Sequence, residues 1–215
     1  MTYLQLVNKV LTRLRENTVD TVNQNTYSSL IGEFVNDAKR IVEDAWDWSA
    51  LRTTLTVTTN DDIFNYVLTG SGNRAKILDA LNDTSNFFIQ YKDQHWFNKT
   101  FLLSAPASGS PRYYTFNGVD SNGDTAVDIS PIPDGVYTLR FNAVLRTPEL
   151  ENDTDEVTIP TLPIIHLAVA LASRERGETG GQSSGELLAM AQQMLSDSIA
   201  LDAIKHPEET IYAVV

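Results

Sequence analysis

Apolar residues recur every third or fourth position at the two ends of the chain and every second position through its middle. Leu4, Val7, Val10, Leu11 and Leu14 share one face of residues 2–16, which predicts an amphipathic helix. The Asn- and Thr-rich ENTVDTVNQN reads as a loop. Residues 26–47 repeat the stripe with Tyr27, Leu30, Ile31, Phe34, Val35, Ala38, Ile41, Val42 and Ala45, and Asn25 or Thr26 is placed to cap it. Two such helices joined by a short loop predict an antiparallel pair.

At Trp46 and Trp48 the period changes. LRTTLTVTT, from Leu51, is β-branched and alternates, so it predicts a strand. FNYVLTG, FFIQY and PRYYTFNG are short and aromatic and extend the β pattern, which takes in His95. A small helix is expected at 74–80 with Ile77 and Leu78 inward. The Asn122-Gly123 pair signals a tight turn, and Pro133-Asp134-Gly135 a second one. Between residues 136 and 146, Tyr137, Leu139, Phe141, Ala143 and Leu145 alternate against Val136, Thr138, Arg140, Asn142 and Val144. Past the acidic ENDTDE loop, LPIIHLAVALASRERGE is apolar nearly all round and predicts the most buried helix. A last helix follows, with Ser183 and Glu186 as a capping box and Leu187, Leu188, Ala191, Met194, Leu195, Ile199 and Leu201 inward. Pro207 ends it, and EETIYAVV reads as extended.

The order of elements predicts an α+β fold: a helical bundle from the first and last helices, with a mainly antiparallel β insertion. The expected segments are 1–50 and 148–207 for the helices, 51–147 for the insertion and 208–215 for an extended tail. Two of the three tryptophans stand at the corner between the first helical segment and the insertion. They are expected to close the core there and to orient the insertion rigidly, with one ring free to face a neighbouring subunit.

Composition narrows the function classes. Of 215 residues 42% are hydrophobic and 20% charged, which suits a folded domain. With no cysteine the chain has no disulfide and no thiolate metal site. No apolar run approaches a membrane span, and the first twenty residues lack the pattern of a signal peptide. The formal charge is −12, from 16 basic and 28 acidic side chains, so a face that grips phosphate is not expected.

Candidate chemistry is sparse. His95, His166 and His206 are too far apart in sequence to form a metal motif, and His166 reads as a core residue. Asp120, Asn122 and Asp124 alternate as in a calcium loop, but Gly123 is at the fourth place and Pro131 at the twelfth, so a hairpin turn is expected instead. RGETGGQSSGE lacks the Lys-Ser or Lys-Thr of a phosphate loop. ENDTDE is expected to be a solvated loop. No G-x-S-x-G elbow occurs. The residues nominate no catalytic group, metal or cofactor.

Four stretches, taken in order, resemble one family: AWDWSALRTT, ISPIPDGVYTLRFNAVLRTPEL, DTDEVTIP and ASRERGE. Their order and spacing are similar to the head-to-tail adaptors of short-tailed bacteriophages, also called tail tubular protein A or gatekeeper. The resemblance covers most of the chain, though residues 60–130 carry little of it. It implies a virion structural protein made in the host bacterial cytoplasm and built into the neck. Such subunits form a ring, expected to hold twelve copies, beneath the portal protein. The ring extends the channel through which double-stranded DNA passes, and docks the tail nozzle and tail fibres, with no membrane and no cofactor. On that reading the contact residues are Trp48 and Arg52 at the corner, Arg174 and Arg176 facing a neighbour's 151–156 loop, and Ile211, Tyr212, Val214 and Val215 in the tail. Rival readings are a head-completion stopper, a fibre-binding module or, further off, a cell-wall hydrolase.

Overall fold

The first helix starts where the sequence supplies both halves of a capping box. Thr2 precedes α1 (Tyr3–Arg13); its hydroxyl accepts the Gln5 amide, and the Gln5 side chain accepts the Thr2 amide. Asn25 and Ser28 make the same reciprocal pair ahead of α2 (Thr26–Ala45). The later helices are α4 (Thr161–Glu175) and α5 (Gln182–Ala203). A short α3 lies between them and α2 in sequence. A computed structural model describes residues 1–102, 105–176 and 182–205, and the fold is α+β.

The described chain divides into two units. One is Met1–Leu51 together with the chain from Thr147 onward; the other is Arg52–Arg146. In the helical unit α4 packs against α1, α2 and α5. Nine of its fifteen residues are buried, among them Ile164, Ile165, Leu167 and Ala168, so it is the core helix that its all-round apolar character predicts. Against it lie Leu6, Val7, Val10 and Leu11 of α1 and Ile31, Val35, Ala38 and Val42 of α2, all buried.

A polar stripe on α2 holds the chain as it re-enters this unit. Asn36 exchanges two hydrogen bonds with the Leu150 backbone, at 3.1 and 2.9 Å. The Lys39 ammonium donates to the carbonyls of Thr147 and Pro148, at 3.2 and 2.7 Å. Glu43 lies 3.1 Å from Lys39 and accepts the Thr147 hydroxyl at 2.5 Å. Lys39 and Glu43 are 3% and 1% exposed, so this is an ion pair out of water, sustained by its extra hydrogen bonds.

The second unit is two sheets over one core. The strands are β1 (Arg52–Thr58), β2 (Asn65–Val67), β3 (Lys76–Asn82), β4 (Phe87–Phe88), β5 (Gln90–Tyr91), β6 (Tyr113–Val119), β7 (Thr125–Ser130) and β8 (Thr138–Val144). The first sheet runs β1-β8-β3-β4 and is antiparallel throughout; the second runs β2-β7-β6-β5, with only the β5–β6 pair parallel. Val57, Ala80, Leu139 and Phe141 from one sheet meet Tyr114, Val127 and Ile129 from the other, together with Leu68 and Ile89. The period-2 pattern of 136–146 has its physical meaning here: Leu139, Phe141 and Ala143 point inward, and Arg140 points out to Asp83.

Two expectations for this unit fail. Residues 74–80 are not a small helix: Lys76–Asn82 is β3, paired with β8. A bulge between Ile77 and Asp79 leaves Leu78 39% exposed, so neither the strand period nor the inward Leu78 survives it. His95 is not in a strand either. It sits in α3 (Gln94–Leu102), whose first turn is capped by the Asp93 carboxylate accepting the Trp96 amide at 2.8 Å. Phe97 buries itself beneath that helix and stacks on Phe101, ring centres 5.8 Å apart.

Gly32 is required by close approach. A Cβ there would lie 2.4 Å from the Tyr3 Oη and 2.9 Å from Val22 Cγ1. Gly32→Ala, which in an open helix gains roughly 1 kcal/mol, is therefore expected to cost about 1–3 kcal/mol from overpacking. Adding Tyr3→Phe should return part of that loss, read from urea midpoints. Lys39→Met removes the ammonium that the Thr147 and Pro148 carbonyls share with Glu43; a loss on the order of 3–5 kcal/mol is expected in the same measurement.

Candidate assembly surface

The corner between α2 and β1 is built by side chains that satisfy backbone and carboxylate groups. Trp46 leaves helical geometry, with φ −153° and ψ 157°. Trp48 then folds back, its indole N–H donating 2.7 Å to the Val42 carbonyl in the last turn of α2. The ring is 1% exposed, so Trp48 is a core residue of the helical unit with almost no surface to offer a neighbour. Trp46, half-buried, donates its indole N–H 3.2 Å to Asp202 near the end of α5.

Asp202 is the hub of this corner. Its carboxylate also accepts the Ser49 amide at 2.9 Å, the Ser49 hydroxyl at 2.5 Å and the Lys205 ammonium at 3.1 Å. Burial alone would raise its pKa. The Ser49 and Lys205 bonds outweigh that and bring it from an ordinary 3.8 down to about 2. The end of α5 is thus stapled to the corner.

The acidic 151–156 loop is more than a solvated turn. Its carbonyls at Asp155 and Asp153 accept the Tyr3 and Leu4 amides of α1, at 2.9 and 3.2 Å. The Asp153 carboxylate accepts the Val22 amide at 3.0 Å, and Asp155 accepts those of Glu151 and Asn152, which hold its own pKa low. Arg176 is engaged within the same chain: it pairs with Glu16 at 2.5 Å and stands 4.7 Å over the Tyr27 ring. Arg174 is exposed on α4, beside a shallow groove shared with Ala170, Leu171, Gly185 and Leu188. Arg52 is the exposed first residue of β1. Ile211, Tyr212, Val214 and Val215, with His206 and the end assigned to Pro207, lie outside the described residues.

The outer helix departs from expectation. Of the seven residues placed inward, only Ala191 is fully buried; Leu188 and Leu201 are 43% and 68% exposed. With Met190, and Ile204 just past its end, they leave α5 with apolar surface that α4, its main packing partner, does not cover. The Ser183 cap lies outside the described side chains, and the helix already begins at Gln182. Sequence period alone does not tell a helix packed on two sides from one packed on a single narrow face.

The remaining candidates fall to structural roles. Asp120 accepts the Asn122 and Asp124 amides, and Asp124 those of Gly70 and Gly72, so this motif ties two turns together. His166 is half-buried on α4, where burial and then the nearby Arg13 charge lower its pKa. Among the described residues no three His, Asp or Glu side chains gather as a metal site, and no helix is long and apolar enough to cross a membrane.

Known proteins add one decisive finding. A model of the SU10 adaptor protein family matches residues 1–210. The chain belongs to that family. It is therefore a phage adaptor protein, a structural class rather than an enzyme class, as the four-motif resemblance implies. No curated protein matches the chain. The SU10 adaptor assignment fits a molecule whose buried charges and loop carboxylates serve the backbone and whose apolar excess sits on an outer helix.

Asp202 has a depressed pKa, so its contribution to stability is present above about pH 4 and is lost as pH falls towards 2. Asp202→Asn is expected to lower the urea midpoint at pH 6 and to flatten its decline between about pH 4 and pH 2. Part of the decline remains in the variant, since Asp124 and Asp155 are also held low. An unchanged slope in the variant would show that the staple carries no linked proton.

Proposed function

We propose that this chain is the repeating subunit of a head-to-tail connector: a ring, of twelve copies, that sits under the portal, continues its DNA channel and presents a platform for the tail nozzle and fibres. The family match over residues 1–210 carries the reading. Three features support it. The uncovered apolar side chains of α5, Leu188, Met190 and Leu201, suit a helix that packs against a neighbouring subunit. The net charge of −12 suits a lumen that lets DNA slide without gripping it. The exposed Arg174 has a counterpart in the exposed Glu151 and Glu156 of a neighbour's loop, the carboxylates of that loop not committed to backbone amides. Arg52 joins these contacts, as do Ile211, Tyr212, Val214 and Val215, which order against the ring or the portal; Trp48, being buried, acts by holding the corner.

Sedimentation of the purified chain, alone and mixed with the portal protein of the same genome, tests this. A discrete ring-sized complex with the portal is expected. Removing residues 208–215 should weaken that complex while the monomer keeps its far-ultraviolet circular dichroism. A chain that never joins the portal would overturn the reading.

A further inference from the structure

Three of the four sheet edges in the β unit are blunt: β4 and β5 have two residues and β2 has three. The fourth is β1, with seven. Its register with β8 shows what it leaves open. The Thr59 amide bonds the Tyr137 carbonyl, which places Val57, Leu55 and Thr53 at the positions that bond β8 and turns the backbone groups of Thr54, Thr56 and Thr58 the other way. The side-chain bond from Thr54 to Asn142, at 2.8 Å, is what a close, non-hydrogen-bonded pair gives. Thr53, Thr54, Thr56 and Thr58 are all exposed. The strand itself carries little to protect that edge: β1 has no proline, no glycine and no bulge, and its one charge is at the first residue.

One stretch of the sequence has the matching chemistry. ETIYAVV, residues 209–215, is as long as β1 and has no proline or glycine. Ile211, Ala213 and Val215 would share one side of an extended strand, with Tyr212 and Val214 on the other. Asp202 and Lys205 bind Ser49, three residues before β1 begins. By chain order alone, a tail that paired with β1 of its own copy from there would meet the strand's first residue first and run parallel to it. The tail of a second copy carries no such tether and can add antiparallel, the stronger pairing and the one made throughout this sheet.

We infer that residues 209–215 of one copy add as an antiparallel strand to the β1 edge of the next copy, lacing the ring through backbone hydrogen bonds. The inference rests on the ring reading above and says which surface and which segment make one of its contacts. It also gives the apolar tail a role that does not depend on the portal.

The absence of cysteine makes the test clean. Cysteine is placed singly at Thr54, Thr56 or Thr58 and singly at Thr210, Tyr212 or Val214. Edge and tail variants are then mixed pairwise in the portal complex, oxidised and run on a non-reducing gel. At least one pair should give a disulfide dimer that neither partner gives alone. Thr56→Pro, which removes an outward N–H at an exposed edge, should abolish that dimer in the matching background without loss of circular dichroism. Three results would overturn the proposal: dimers from edge variants alone, which mean β1 pairs with β1; an internal bond in a doubly substituted chain with no dimer from the mixture, which means the tail binds its own strand; or no dimer from any pair. If the last occurs in a complex that still sediments with the portal, the ring reading stands and only the strand addition fails. If no complex forms, both fail.

Discussion

Everything in the helical unit depends on how one helix receives a chain that has left it. The polypeptide departs from α2 near Trp48 and returns at Thr147, ninety-nine residues later. A returning segment pressed against a helix has backbone groups to satisfy, and water is not there to do it. Asn36, Lys39 and Glu43 lie on one face of α2 and provide the donors and acceptors. Burying an ammonium and a carboxylate has a desolvation cost that apolar side chains would avoid. The pair is retained because Lys39 caps two carbonyls that no apolar residue could cap. The corner at the other crossing uses the same logic: Trp48 caps the Val42 carbonyl and Trp46 supports Asp202. Two tryptophans stand there because one closes the core while satisfying the helix end, and the other carries an N–H to a carboxylate.

What could be read from the sequence was what local chemistry determines. The Asn25 cap, the all-round apolar α4 and the alternating β8 are local patterns, and each appears in the structure. The failures are places where a distant partner decides. Residues 74–80 hold apolar positions that fit a helix, but pairing with β8 takes them as a strand, and the bulge at Leu78 hides its period. For α3 the signal was present and unused: Asp93 ahead of Trp96, with Phe97 and Phe101 four apart. Nothing local marks Lys39, Glu43 and Asp202 as buried. The fold shows what they reach, since the Pro148 carbonyl, the Thr147 hydroxyl and Ser49 lie more than a hundred residues away in sequence.

The same lesson recasts the acidity. A charge of −12 invites a reading in terms of DNA, yet a set of these carboxylates is committed to the fold: Asp153 and Asp155 hold a loop that receives α1, Asp202 holds α5, and within the β unit Asp124 accepts backbone amides and Asp128 the side-chain amides of Asn65 and Asn117. Anionic acceptors are well suited to backbone N–H groups that would otherwise be orphaned, and such bonds are stronger than neutral ones. In the proposed ring only the remainder, the exposed carboxylates, would be left to face a lumen and the DNA within it.

An adaptor must be ordered enough to transmit geometry and unfinished enough to wait for its neighbours. The β unit keeps three of its edges too short to recruit a strand and leaves the fourth long and unguarded, while α5 carries apolar side chains that α4 does not cover. In a free chain both features carry a risk of aggregation. In the proposed ring the next copy would satisfy both, once per interface, and closure would leave no edge of that kind open. On that proposal the surfaces that look like defects in the single chain are the ones that assembly completes, and the corner built on Trp48 and Asp202 holds the end of α5 in a defined place.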